Sequence, residues 1–394
     1  MAVLVLLSAV SWSISTIAAR PAPGEREIVV YGFSILGEAM QDGIFPAFAE
    51  RRRRETGEKV RFYGAFAGSG TIANQILFGA PADVAIFAVE SDADRLADAR
   101  LVRRDWRQAA PDGAVVTRTA MVIETRPGNP LGLRSFDDLG RPGVKVVHPD
   151  PATSGGAQWA LFAEWACAPP GREAEQLGAI WANVISQASS ARGAKTQFER
   201  GFGDALVTYE LEVLTDRRKQ RPIELVVPPC TVLAENVAVV VDRNVAADER
   251  EAVQAFRAFL SSDEARLIFA RFGFRTGDER LDRSLGFAPL ERAVTVRDLG
   301  GFAAAQKRIV FDLWRDRILS GARGRSSPIL AARSARGVRG AEPPEEEDER
   351  RACESRDSHA PSGARGRSSP VPRRALRAGG SGGGARRRRR APDP

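Results

Sequence analysis

Between residues 27 and 320 the chain alternates short apolar runs with longer stretches whose apolar positions recur at helical spacing. The runs are EIVVYG (27–32), VRFYG (60–64), DVAIFA (83–88), AMVIET (120–125), VKVVHP (144–149), DALVTY (204–209), IELVVP (223–228) and NVAVVV (236–241). Most are near-continuous in Val and Ile rather than alternating, the pattern of strands covered by helices on both faces. The helical stretches include 35–54, 157–166 and 249–260. The alternation predicts an α/β protein with largely parallel sheets.

Composition changes this picture at the two ends. Residues 1–19, MAVLVLLSAVSWSISTIAA, form an apolar run closing on small residues, with Thr16 and Ala18 at cleavage spacing. It reads as an export signal, with an uncleaved anchor as the alternative because no Lys or Arg stands near its start. Residues 321–394 are rich in Arg, Gly, Ser and Pro and hold 18 Arg against 9 Asp plus Glu, so the net charge of +8 resides there and the remainder is close to neutral. Such a tail cannot bury enough apolar surface to fold by itself, and we expect a disordered extension with no part in function. The basic pI is therefore no argument for nucleic-acid binding by the folded part.

Candidate chemistry is sparse. Three cysteines, Cys167, Cys230 and Cys353, exclude a disulfide scaffold and a zinc motif and leave room for a single Cys167–Cys230 bridge. Two histidines, His148 and His359, give a metal site or a triad little material. His148 lies close to Ser154, the one pairing a hydrolase could use, but no G-x-S-x-G elbow surrounds that serine.

Four segments stand out, each after a predicted strand and before a predicted helix: YGFSILGEAM (31–40), FAGSGTIANQI (66–76), PATSGGAQWA (151–160) and QASSARGAKTQFERGFGD (187–204). A helix start leaves about four N–H groups without partners and about half a positive charge, so it attracts anions. Serine hydroxyls add donors, and glycine lets backbone come close to a ligand oxygen. A single such loop is ordinarily a capped turn. Four at equivalent positions point to an oxyanion pocket at the carboxyl ends of the strands.

The stretches FAGSGT, GNPLGLRSFDDL, KVVHPDPATSGGAQWA, SARGAKTQFERGFGDALVTYELEVL, VLAENVAVVVDRNV and VRDLGGFAAAQ, in this order over residues 27–320, resemble the sulfate-binding proteins of bacterial sulfate and thiosulfate ABC transporters. The resemblance implies a two-lobed periplasmic-binding-protein fold of type II, each lobe a helix-flanked, mostly parallel sheet with the ligand in the cleft between. The first lobe would span 27–114 plus 231–320 and the second 115–230. It also implies a periplasmic monomer that hands its anion to a membrane permease, with no enzyme activity, cofactor, metal or nucleic acid. Carried onto this sequence, the ligand-binding residues are Ser69 and Gly70, the wall of Ser154, Gly155 and Gly156, and Ser190 with Ala191. Two positions depart from the family. Gly32 and Ser34 stand where it has an Asp-containing loop, and Tyr209 stands where it has a Trp; glycine N–H and phenol can still donate.

Sulfate at neutral pH carries no proton and needs donors only, whereas protonated phosphate also needs an acceptor. Segments 66–71, 153–157 and 188–193 contain no Asp or Glu, which favours sulfate or another dianion (thiosulfate, molybdate, tungstate) over phosphate. Glu38 and Glu210 are the nearby acids, both expected on helix surfaces. Arg192 is expected to pair with an acid such as Glu199, and Trp159 and Trp165 to pack inside the second lobe.

Overall fold

The computed structural model describes residues 25–320, so the expected signal segment and tail lie outside the described residues. Ten strands form one sheet: β1 (Glu25–Phe33), β2 (Lys59–Ala67), β3 (Val84–Phe87), β4 (Val115–Thr125), β5 (Val146–Pro149), β6 (Val184–Ala188), β7 (Ala205–Tyr209), β8 (Glu224–Val226), β9 (Cys230–Val240) and β10 (Arg292–Val294). Its order is β2-β1-β3-β9-β4-β7-β5-β6, with β10 beside β9 and β8 beside β4. Every expected apolar run contributes to a strand; β6 and β10 are additional.

Parallel pairing is confined to the outer parts, β2-β1-β3 and β7-β5-β6, together with the β10–β9 pair. The middle is antiparallel, which corrects the expectation of largely parallel sheets for the molecule as a whole while keeping it for each lobe. The two long strands cause this. Val115–Ala120 of β4 pairs with β9, and Met121–Thr125 of the same strand pairs with β7; the far end of β9 pairs with β3. One continuous strand thus serves both lobes. Val84–Phe87 and Ala205–Tyr209 are buried at every residue, as strands covered on two faces must be, while the edge strand β2 is half exposed.

The helices are α1 (Phe45–Thr56), α2 (Ser69–Leu77), α3 (Glu90–Asp98), α4 (Gly155–Ala166), α5 (Glu173–Ala182), α6 (Ala191–Glu199), α7 (Glu210–Arg218), α8 (Arg250–Phe259), α9 (Asp263–Arg271), α10 (Glu279–Ser284) and α11 (Phe302–Ala305), the last continued by a π-type helix over Gln306–Leu319. That final segment packs on the second lobe. Phe302 meets Trp159 and Phe162 edge to face, and Trp314 meets Trp181 with ring centroids 5.2 Å apart. The first-lobe core is partly aromatic, with Phe45 stacked on Phe62 and Phe48 against Phe256. Cys167 and Cys230 are bridged, tying the end of α4 to the start of β9.

Candidate functional site

Three helices, α2, α4 and α6, begin directly after a strand-end loop and carry no acid in their first turn. Every other helix from α3 to α10 has one there. Acids in a first turn normally offset the positive end of a helix. In these three the field is left for something else.

Their starts are built by the residues the sequence singled out. Ser154 caps α4, its Oγ accepting the Ala157 N–H at 3.4 Å, and Ser190 caps α6 by accepting the Gly193 N–H at 3.1 Å. Gly155 and Gly156, in the first turn of α4, and Ala191, in the first turn of α6, keep N–H groups that the helix itself cannot use. The small residues have steric reasons. A Cβ on Gly155 would stand 2.7 Å from Ala88 Cβ and 3.2 Å from Ser69 Cβ, and one on Gly156 would stand 3.0 Å from Tyr209 Oη. Gly70, in the first turn of α2, faces the Thr153 carbonyl. The first loop reaches the second lobe too: the Arg192 N–H donates to Ser34 Oγ at 3.4 Å, while Gly32 packs on the Phe66 ring. Ser34, Ser69, Gly70, Ser154, Gly155, Gly156, Ser190, Ala191 and Tyr209 therefore gather around the meeting point of the two lobes, with Gly32 beneath them in β1.

Tyr209 is 1 % exposed and its hydroxyl has no hydrogen-bond partner among the described residues. Burial, with the Glu212 charge as the lesser cause, raises its pKa, so the phenol stays a protonated donor. A buried polar group of this kind costs about 1–3 kcal/mol unless something binds it.

The surroundings of these residues refine the other expectations. Ser69 is buried and its hydroxyl proton is already used: it donates to Asp92 Oδ2 at 2.6 Å while accepting the Ala88 N–H. The acid beside the site is therefore Asp92, which the sequence did not single out; burial raises its pKa, and the Ser69 and Arg95 hydrogen bonds oppose that. Glu210 is buried rather than on a helix surface, held by two hydrogen bonds from Arg275 at 2.6 and 2.7 Å. Glu38 is partly exposed and pairs with Lys219. Arg192 pairs with Glu212 at 2.9 Å, and Glu199 with Arg221. Trp159 does more than pack: its indole N–H crosses to the first lobe and donates to the Ala88 carbonyl at 2.6 Å. Trp165 is half-buried under the Arg308 guanidinium. Beneath α6 the buried Lys195 ammonium is shared by Glu124 and Asp216, linking β4, α6 and α7.

His148 offers no base to Ser154. It is fully buried, its Nδ1–H donates to the Pro149 carbonyl at 2.6 Å and its Nε2 lies 3.2 Å from Glu164. Among the described residues no cluster of His, Cys, Asp and Glu could hold a metal ion, and no helix is long and apolar enough to cross a membrane.

The chain is similar to known solute-binding proteins. The family model for bacterial extracellular solute-binding proteins matches residues 28–275. A sulfate-binding protein of Synechococcus elongatus is 32% identical over 313 residues, 77% of this chain and 89% of the relative. A thiosulfate-binding protein of Escherichia coli is 31% identical over 269 residues, 65% of this chain and 80% of the relative. The solved structure of the sulfate-binding protein SubI from Mycobacterium tuberculosis superposes with a TM-score of 0.66 at 29% identity, covering 72% of this chain and 98% of that one.

Proposed function

The chain belongs to the sulfate-binding family of bacterial extracellular solute-binding proteins, and from that membership we propose that it captures sulfate between its lobes and delivers it to a membrane ABC permease. It is the solute-binding component of a transporter for sulfate or a related oxyanion.

One observation carries the choice of site: a buried phenol with no partner, on Tyr209, packed against the first turn of α4. An anion there receives the Tyr209 O–H, the N–H groups of Gly155 and Gly156, and those opening α2 and α6. All are uncharged donors, as a fully ionised dianion requires. Arg192, in the first turn of α6, is spent on Glu212. Each helix start adds about 0.3–1 kcal/mol, more where it is dry. The lobes close over the anion by rotating about the two crossing strands, and ligand contacts to both lobes favour the closed form.

A periplasmic location is supported by the Cys167–Cys230 bridge, which suits an oxidising compartment. The absence of catalysis is supported by His148, whose Nδ1–H is taken by the Pro149 carbonyl and whose Nε2 faces Glu164 rather than Ser154.

Calorimetric titration of residues 20–320 with sulfate, thiosulfate, molybdate and phosphate tests the proposal. Sulfate should bind most tightly, and Ser154→Ala should weaken it about fivefold through loss of the cap. Binding of phosphate in preference to sulfate would overturn the assignment.

A further inference from the structure

Gly68 precedes α2 at the end of β2, one edge of the sheet, while Thr153 and Ser189 follow β5 and β6 at the opposite edge. The lobes nevertheless meet there at van der Waals distance. A Cβ placed on Gly68 would stand 2.6 Å from the Ser189 carbonyl oxygen and 2.8 Å from that of Thr153. Among the described glycines no other has two backbone oxygens closer than 3.0 Å to that position. Both obstacles are main chain and cannot swing aside as a side chain does. The Thr153 hydroxyl donates to the Ser189 carbonyl at 3.0 Å, so the two loops behave as one wall.

The backbone of Gly68 does not itself call for glycine. Its φ of −57° and ψ of 139° are accessible to any L-residue. The reason for glycine is the other lobe.

We propose that Gly68 is the stop that fixes the width of the closed cleft, and so a specificity-determining residue favouring sulfate over the larger molybdate. This rests on the sulfate-binding reading above. Main chain meeting main chain closes the lobes to one separation. The donors on α2 are set at one distance from those on α4 and α6, and that distance suits one size of tetrahedral dianion. A side chain at residue 68 holds the lobes apart by a fraction of an ångström. It penalises the smaller anion, whose oxygens no longer reach both walls, more than the larger one.

The test compares sulfate and molybdate affinities of wild type, Gly68→Ala, Gly68→Ser and, as control, Gly178→Ala, a helix position where a Cβ meets nothing within 4 Å. Thermal melting without ligand checks that each variant folds. Gly68→Ala should melt like wild type, bind sulfate about tenfold more weakly or worse, and lose about threefold or more of its preference over molybdate. Gly68→Ser should go at least as far, and Gly178→Ala should match wild type. Sulfate affinity within about twofold of wild type in both Gly68 variants, or equal weakening for the two anions, would overturn the stop. Wild type that binds neither anion would instead sink the transport reading itself.

Discussion

At the scale of single residues the sharpest prediction concerns Tyr209. Its hydroxyl is buried and unpartnered, so without ligand it costs stability and with ligand it donates a hydrogen bond to a charge, an interaction of about 1.5–3 kcal/mol. Tyr209→Phe should therefore weaken sulfate by about tenfold or more while leaving the unliganded melting temperature unchanged or raised, as calorimetry and thermal melting would show. A variant with undiminished affinity places the hydroxyl elsewhere. The residue itself was legible because it ends a predicted strand where the family carries another aromatic donor. Asp92 was not legible: no spacing rule brings residue 92 to the hydroxyl of residue 69, and that contact removes Ser69's side chain from the donors an anion can use. Gly68 shows the same blindness. Its conformation is ordinary, and its need for a bare Cα arises from loops far along the chain.

At the scale of elements, near-continuous Val and Ile runs marked eight strands correctly, since burial on both faces writes itself into every position. β6 escaped because it is a sheet edge: Ile185 is exposed and Gln187 interrupts the apolar run, so its sequence resembles a loop. What no pattern revealed is the ion cluster fastening α6 behind the site. Lys195 lies between Glu124 and Asp216 in a dry interior, with Glu212 adding a further acid. Lys195→Met should cost about 3–5 kcal/mol in urea unfolding, because it strands buried carboxylates without a counter-charge. Burial lifts the Glu124 carboxyl to about 7 against Lys195's opposing pull, and Glu212 is raised in the same way. A carboxyl raised on folding binds more protons in the native state. Its contribution is complete below its unfolded pKa near 4.5 and lost as pH climbs through about 7. The urea midpoint should thus fall between pH 5 and 8, and Glu124→Gln should flatten that fall; an equal slope in the variant would remove Glu124 from the account.

At the scale of the whole molecule, several bonds cross between the lobes independently of any anion, among them Trp159 to the Ala88 carbonyl, the Arg192 N–H to Ser34, Lys219 to Glu38 and Arg275 to Glu210. Net values of about 0.5–1.5 kcal/mol each are the same order as the gap between open and closed forms of a hinged binder. The protein must then hold part of its closed form without ligand, and sulfate completes a balance already near even. Trp159 is the bond to remove, because the same indole stays packed edge to face on Phe162 and Phe302 and a phenyl ring can keep that contact. Trp159→Phe should enlarge the unliganded radius of gyration in small-angle scattering and raise the sulfate Kd about three- to tenfold, as loss of about 1 kcal/mol from the closed state demands. Saturating sulfate should return the radius to the wild-type value, since the ligand supplies the missing preference by mass action. If the variant scatters like wild type without sulfate and binds it equally well, closure is held by the crossing strands and by main-chain contacts such as that at Gly68, and the indole is packing alone.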